Sequence, residues 1–284
     1  MTLLDELGVT ATAWAAPLPE GAGAGFAADE LVTPASVMKI QVALAVARDI
    51  EGTRRVVLRS EGRTPGPTGI ALMRDEVWMS VRDLLTLMLT ISDNVATDEL
   101  LGLVGIDRVN ALTGGLGLAR THIDSDLRTT LDRMAAEAGF ADYAAMARLE
   151  PAPPGLSETL AGTAALDPRR GSRTTARDTV ELLRAVWWDP AGAPVREAMG
   201  NQLTRNRIAS GFGAEVRVAA KSGGLMGLVR NEAGVVTYPD GGQFAVAVFT
   251  RRPPGAAADP ARIDAGIGLV ARELVGRLRG GRNG

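Results

Sequence analysis

Strand-like sequence stands at both ends of the chain and helical sequence fills the middle, so any sheet must be assembled from segments far apart in sequence. Val9 to Ala16 is rich in Val, Thr, Trp and Ala and reads as a first strand. A Gly/Ala-rich turn around Gly21 to Gly25 leads to a second strand over Phe26 to Leu31. At the other end, Glu215 to Ala220 alternates Val216, Val218 and Ala220, and Val229 to Tyr238 joins Gln243 to Arg251 through Pro239-Asp240-Gly241-Gly242 as antiparallel strands. From about Arg54 to Asp189 the pattern is mainly helical. Ser80-x-x-Asp83 forms a capping box ahead of Leu84, Leu85, Met88 and Ile91, a core-facing spacing. Another helix starts near Thr175, with Asp178 in its first turn and Val180, Leu183, Val186 and Trp187 on its buried side. Asp259-Pro260 supplies the cap of a closing helix carrying Ile263, Ile267, Val270 and Leu274. Glu150 to Ser172, rich in Pro, Gly and Ala, reads as a long surface loop or lid. A chain of 284 residues exceeds the commonest domain size. The expected division is an α/β part from 1–53 and 195–284 around a helical part from 54–194, the two packed as one unit.

Composition removes several kinds of chemistry. The net charge is −2, from 31 basic and 33 acidic residues, which leaves no electrostatic footprint for nucleic acid. With no cysteine and one histidine, disulfides, thiolate chemistry and Cys- or His-rich metal sites are excluded, and no cofactor is expected. His122 has no partner visible in sequence and reads as structural or exposed. Met1 to Gly8 lacks a basic n-region, and no stretch reaches the length of a membrane span. A cytoplasmic protein is expected, or a secreted one whose leader has been removed, with a small-molecule acyl substrate as its partner and no nucleic-acid or membrane partner. The oligomeric state is not readable.

Two lysines, Lys39 and Lys221, occur against 29 arginines. Arginine stays protonated at any working pH, whereas a desolvated lysine can lose its proton and act as a base. Thr33-Pro34 marks a helix entry, with Val37, Ile40, Leu44 and Ala47 as one apolar stripe, so Ser36 falls in the first helical turn and Lys39 one turn later. An amine there can take the proton of the Ser36 hydroxyl, and the converging N–H groups make Ser36 N–H an oxyanion donor. Ser-x-x-Lys alone is common by chance. Ser92-Asp93-Asn94 ends an apolar helix; it reads either as a plain C-terminal turn or as a rigid presentation of Ser92, a proton carrier, and Asn94, a ligand of Lys39 or of a substrate amide. Lys221-Ser222-Gly223-Gly224 ends a predicted strand, and its glycines let a substrate backbone approach, with Gly224 N–H as a second oxyanion donor. Arg230, in the next strand, could bind a substrate carboxylate bidentately.

These three motifs, in this order, resemble those of the penicillin-recognising serine hydrolases, in particular class A β-lactamases. The resemblance covers most of the chain. It implies that Ser36 is acylated, that Lys39 is the base, that Ser92 and Lys221 shuttle protons and bind carboxylate, and that Ser222, Gly223, Gly224, Asn94 and Arg230 bind substrate. It also implies a five-stranded antiparallel sheet flanked by helices, with an all-helical subdomain inserted.

One departure stands out. The Glu-x-x-Leu-Asn signature that supplies the water-activating glutamate of class A enzymes has no counterpart. The aligned stretch, Thr121 to Arg128, offers Asp126 or Asp124, followed by an expansion of roughly thirty residues in which Glu150 and Glu158 are the further options. The expected activity is therefore hydrolysis through an acyl-Ser36 intermediate of a β-lactam or related carboxylate-bearing amide or ester. The alternatives are a cytoplasmic esterase, peptidase or transacylase, and an acylated binding or sensor module with little turnover.

Overall fold

The computed structural model describes residues 3–149, 153–256 and 259–280. The strands are β1 (Thr10–Leu18), β2 (Ala24–Phe26), β3 (Arg55–Leu58), β4 (Val77–Ser80), β5 (Arg217–Leu225), β6 (Val229–Thr237) and β7 (Gln243–Arg251). The helices are α1 (Leu3–Glu6), α2 (Lys39–Asp49), α3 (Val81–Thr90), α4 (Asn94–Val104), α5 (Ile106–Gly115), α6 (Leu127–Glu137), α7 (Tyr143–Ala147), α8 (Leu156–Ala161), α9 (Ala176–Trp188), α10 (Ala193–Gly200) and α11 (Pro260–Gly280). Five strands form one antiparallel sheet in the order β2-β1-β7-β6-β5, the expected fold, which leaves β5 on an edge.

The alternation along β7 explains why both faces of this sheet are covered. Ala245, Ala247 and Phe249 face a core shared with Ile40 and Leu44 of α2, Leu84 and Met88 of α3, and Val180 and Leu183 of α9. Val246 and Val248 face the opposite side, where Ile263, Ile267, Val270 and Leu274 of α11 cover them. Each fully buried aliphatic side chain contributes about 1.5–3 kcal/mol relative to exposure. The local start signals hold. Ser80 accepts from Asp83 N–H, Thr175 from Asp178 N–H, and Asp259 Oδ1 from Ala261 N–H at 2.9 Å.

Three expectations are corrected. The second strand is Ala24–Phe26, not Phe26 to Leu31, because Gly23 and Gly25 lie directly against Trp14 and β1. A Cβ on Gly25 would stand 2.1 Å from the Ala13 carbonyl oxygen. The helical middle also contains a small hairpin, β3 against β4. The segment read as a surface loop is built: Leu160, Ala165 and Leu166 are buried with Leu131 and Met134 of α6, Met146 of α7, and Leu228 and Val229 beside the β5–β6 turn. Residues 150–152 lie outside the described residues.

The far face of β5 and β6 is tied to α11 by ions. Asp264 is 2% exposed and receives Arg207 Nε at 2.9 Å, Arg230 Nε at 2.7 Å and Asn206 Nδ2 at 2.7 Å. Removing the shared carboxylate strands two partly buried guanidinium groups. Asp264→Ala is expected to cost about 3–5 kcal/mol in urea denaturation. Asp29→Ala, which breaks the exposed Arg177–Asp29 pair, is expected to cost far less. Equal effects would contradict this account of the network.

Candidate active site

Ser36 lies in a short 3-10 turn, Ala35–Met38, that runs into α2. Ala35 has a φ of 47°, a left-handed conformation that a β-carbon disfavours. Ser92 (61°) and Met226 (48°) share that conformation, and all three line one cavity of about 320 Å³ together with Ser36. Strain of this kind, of order 1–3 kcal/mol per residue, clusters where a site over-determines the backbone.

Lys39 opens α2 and is fully buried. Its Nζ donates to the Ser92 carbonyl oxygen at 2.7 Å and to Asn94 Oδ1 at 2.9 Å, and is hydrogen-bonded to Ser92 Oγ at 3.1 Å. Burial pushes its pKa down to about 7, against the opposing pull of the Asp93 and Asp98 carboxylates. The sign for stability follows. Between about pH 7 and the ordinary lysine value of 10.5 the unfolded chain holds a proton that the folded chain has released, so folding gains stability as pH rises through that window.

Lys221, in β5, is also fully buried and donates to the Ser222 carbonyl oxygen at 2.7 Å. Burial holds it well below the usual lysine range, and the neighbouring Lys39 charge lowers it further. Glu232 counters this and Arg207 adds to it. Burial in turn raises the Glu232 carboxyl, which accepts from Ile208 N–H at 2.6 Å and Gln202 Nε2 at 3.0 Å. Gly223 lies against the Ser36 turn: a Cβ there would stand 2.8 Å from the Pro34 oxygen and 3.2 Å from Ser36 N. At the free edge of β5, Ser222 N–H donates to Gln202 Oε1. Gly224 N–H, two residues on, leaves the same edge at the cavity.

The cavity thus gathers Ser36, Ser92, Asn94, Ser222, Gly223 and Gly224 on its walls, with Lys39 bonded beneath Ser92 and Lys221 beside Lys39. Arg230 is not among them. It pairs with Gly224 in register, one residue from the Gly223–Asn231 pair that faces the Ser36 turn, so its side chain falls on the opposite face and binds Asp264. A different arginine, Arg207, stands at the cavity. It lines the cavity, is 7% exposed, and donates from Nη1 to the carbonyl oxygens of Gly223 (2.8 Å) and Asn231 (2.6 Å).

The carboxylates expected for water activation are turned elsewhere. Asp126 caps α6 by accepting from Thr129 N–H at 2.7 Å, Asp124 binds Arg133 at 2.8 Å, and Glu158 sits in the first turn of α8, away from the cavity. Glu150 lies outside the described residues. Among the described residues that wall the cavity none is acidic, and Leu127 occupies the wall at the start of α6.

Two supporting residues had little signal in the sequence. Asp93, read only as part of a turn, caps α4 and also accepts from Ile70 N–H at 2.7 Å, so it clamps the Ser92 turn from both sides. Asp98 accepts from Thr64 Oγ1 at 2.6 Å, Leu127 N–H at 2.8 Å and Arg128 N–H at 2.9 Å, which fixes Leu127 to the cavity. Its only sign was a carboxylate, beside Glu99, on an otherwise largely apolar helix.

A sequence profile of the Beta-lactamase enzyme family matches residues 2–278. The chain belongs to that family. It is 31% identical, over 97% of its length and 95% of the relative, to the β-lactamase regulatory protein BlaB of Streptomyces cacaoi. Among solved structures it is similar to a β-lactamase from Sphaerobacter thermophilus, with a TM-score of 0.74, 24% identity, and 97% and 93% of the two chains covered. It is also similar to a variant of PBP-A solved as an acyl-enzyme complex with penicillin G, with a TM-score of 0.72, 20% identity, and 99% and 96% covered. The fold is therefore that of class A β-lactamases. The chain has the architecture of a β-lactamase-like serine enzyme, and Leu127 lines its cavity. No helix among the described residues is long and apolar enough to cross a membrane.

Proposed function

We propose that the protein is a serine acyl-transfer hydrolase that opens a β-lactam, or a related carboxylate-bearing amide or ester, at Ser36 and releases the product slowly. The observation that carries this reading is the buried Lys39 amine, with its pKa near 7, held against Ser92 and Asn94 beneath the cavity that contains Ser36.

When Lys39 is neutral it keeps two donors, for the Ser92 carbonyl and Asn94, and gains a lone pair that accepts a hydroxyl proton. Ser36 Oγ then bonds to the substrate carbonyl carbon as its proton passes to Lys39. The resulting oxyanion is stabilised by Ser36 N–H and Gly224 N–H. The proton moves through Ser92 Oγ to the leaving nitrogen or oxygen as its bond to carbon breaks, which leaves acyl-Ser36. Lys221, whose ionisation is disfavoured by burial and by the Lys39 charge, stands beside Lys39, and Arg207 with Ser222 binds the substrate carboxylate. In deacylation a water oxygen must bond to the acyl carbon and lose a proton as Ser36 recovers its own. With Leu127 where a base would serve, that step is slow. The same feature favours a second reading, an acylated sensor, which agrees with the name of the regulatory relative.

Intact-mass measurement after exposure to a chromogenic cephalosporin tests the proposal. A one-acyl adduct lost on Ser36→Ala is expected, with slow turnover; absence of both adduct and turnover rejects the lactam version, and a permanent adduct selects the sensor. The acylation rate should rise with pH through about 7 and level above it, because only the neutral amine accepts the proton. Lys39→Arg should abolish acylation despite keeping the charge; a surviving adduct would remove Lys39 as the base. Leu127→Glu should speed deacylation by about a hundredfold, the lower end of general-base contributions. An unchanged adduct lifetime would show that the missing carboxylate is not what limits release.

A further inference from the structure

The turn that carries Ser36 is held from behind by one side chain. Asn231, in β6, is fully buried, and its Nδ2 donates to the carbonyl oxygens of Thr33 at 2.9 Å and Pro34 at 3.2 Å. Its Oδ1 accepts from Thr250 N–H of β7 at 3.0 Å. No other side chain among the described residues bonds the backbone from Thr33 to Ser36. On either side of this stretch Val32 is bridged to Thr174, and Val37 N–H donates to the Pro34 oxygen at 3.2 Å. Between those anchors Ala35 holds its left-handed conformation. Packing does not replace the amide, because a second cavity of about 110 Å³ lies behind the turn, lined by Val32, Thr33, Asn231 and Phe249 among others. Thr33 Oγ1 is buried there without a partner among the described residues.

Asn231 also stands at the junction with β5. It pairs in register with Gly223, the residue before Gly224, and Arg207 Nη1 bonds the carbonyl oxygens of both Gly223 and Asn231. One residue therefore ties the Ser36 turn to the strand that carries Gly224 N–H. Asn231 lines the rear cavity and not the one that contains Ser36, so it does not touch substrate.

We propose that Asn231 is a positioning residue for acylation: through the Thr33 and Pro34 carbonyls it aims Ser36 N–H at the point that Gly224 N–H also faces, so that both donate to the developing oxyanion. This rests on the hydrolase reading above and adds a residue which that reading did not use. A left-handed Ala35 relaxes once its surroundings stop over-determining it. Preorganised donors stabilise an oxyanion only in the right direction, and a misplacement of about 1 Å costs up to about a hundredfold in rate.

The test uses the whole protein with Asn231→Asp, which keeps the shape and the acceptor for Thr250 N–H but leaves at most one donor for two carbonyls. Asn231→Ala, which opens onto the rear cavity and admits water to those carbonyls, serves if the first variant does not fold. The probes are 3-carboxyphenyl propanoate and its thiono twin, in which sulfur replaces the carbonyl oxygen. In each, Ser36 Oγ bonds to the acyl carbon, the bond from that carbon to the aryl oxygen breaks, and 3-hydroxybenzoate leaves with the proton that Ser36 gave up. Sulfur accepts hydrogen bonds weakly, so the ratio of the two acylation efficiencies reads the oxyanion donors and is blind to the folded fraction and to the base. Wild type is expected to favour the oxygen ester by at least about a hundredfold. In the variant that efficiency should fall by about 10–100-fold and the thiono efficiency by less than about threefold, with the midpoint of the acylation–pH profile still near 7. Equal use of both esters by wild type, a parallel fall of both in the variant, or a displaced midpoint overturns the inference and leaves the hydrolase reading standing. If neither ester acylates wild-type Ser36, amide hydrogen exchange decides the turn on its own, and the hydrolase reading falls only if the cephalosporin leaves no adduct either. Val37 N–H should then exchange at least about tenfold faster in the variant while Leu44 N–H in α2 is unchanged, and equal protection of Val37 overturns the inference.

Discussion

A lysine amine placed out of reach of water sets the terms for the rest of this site. Each pKa unit corresponds to about 1.4 kcal/mol, so a fall from 10.5 to about 7 means that burying the Lys39 charge costs on the order of 5 kcal/mol. Three acceptor oxygens, two of them from Ser92, limit that cost without cancelling it. Ser92 offers both its carbonyl and its hydroxyl to one nitrogen, and it does so in a left-handed conformation that Asp93 enforces by starting α4 immediately afterwards. Gly69 is part of the same clamp, since a Cβ on it would stand 2.0 Å from Asp93 Oδ2.

The second lysine extends the same physics to the edge strand. Burial and then the Lys39 charge lower the tendency of Lys221 to ionise, and the raised Glu232 carboxyl shares its environment. Behind β5 the ionic groups are arranged for the opposite purpose. Asp264 collects both Arg207 and Arg230; Arg207 also bonds the Gly223 and Asn231 carbonyl oxygens and lines the cavity, while Arg230 stays on the far face.

Much of the fold was legible because its signals are local. The caps at Ser80, Thr175 and Asp259 and the alternation through Val216, Val218 and Ala220 depend on neighbours within a few residues. What was missed depends on distant partners. Gly23 and Gly25 read as a turn, yet Gly25 lies in β2 and Gly23 directly before it, both against Trp14. Leu156–Ala161 is too short for a helical period to emerge from a Pro/Gly-rich stretch. The choice between Arg207 and Arg230 turns on the β5–β6 register, where a shift of one residue exchanges the two faces of the sheet. The three motifs identified the gathering of Ser36, Lys39, Ser92 and Lys221, but Asp98 and its hold on Leu127 are visible only once α4 and α6 are packed together.

The scarcity of lysine makes the central claim directly measurable. Protein labelled with carbon-13 at lysine Cε should show two resonances, from Lys39 and Lys221, assigned by Lys39→Arg, and these can be followed as pH is varied. The Lys39 signal should titrate near pH 7, and that of Lys221 should also be displaced below the usual lysine range. Two resonances that both titrate near the ordinary value of 10.5 would contradict it, since neither amine would then be free to accept a proton from Ser36 at neutral pH.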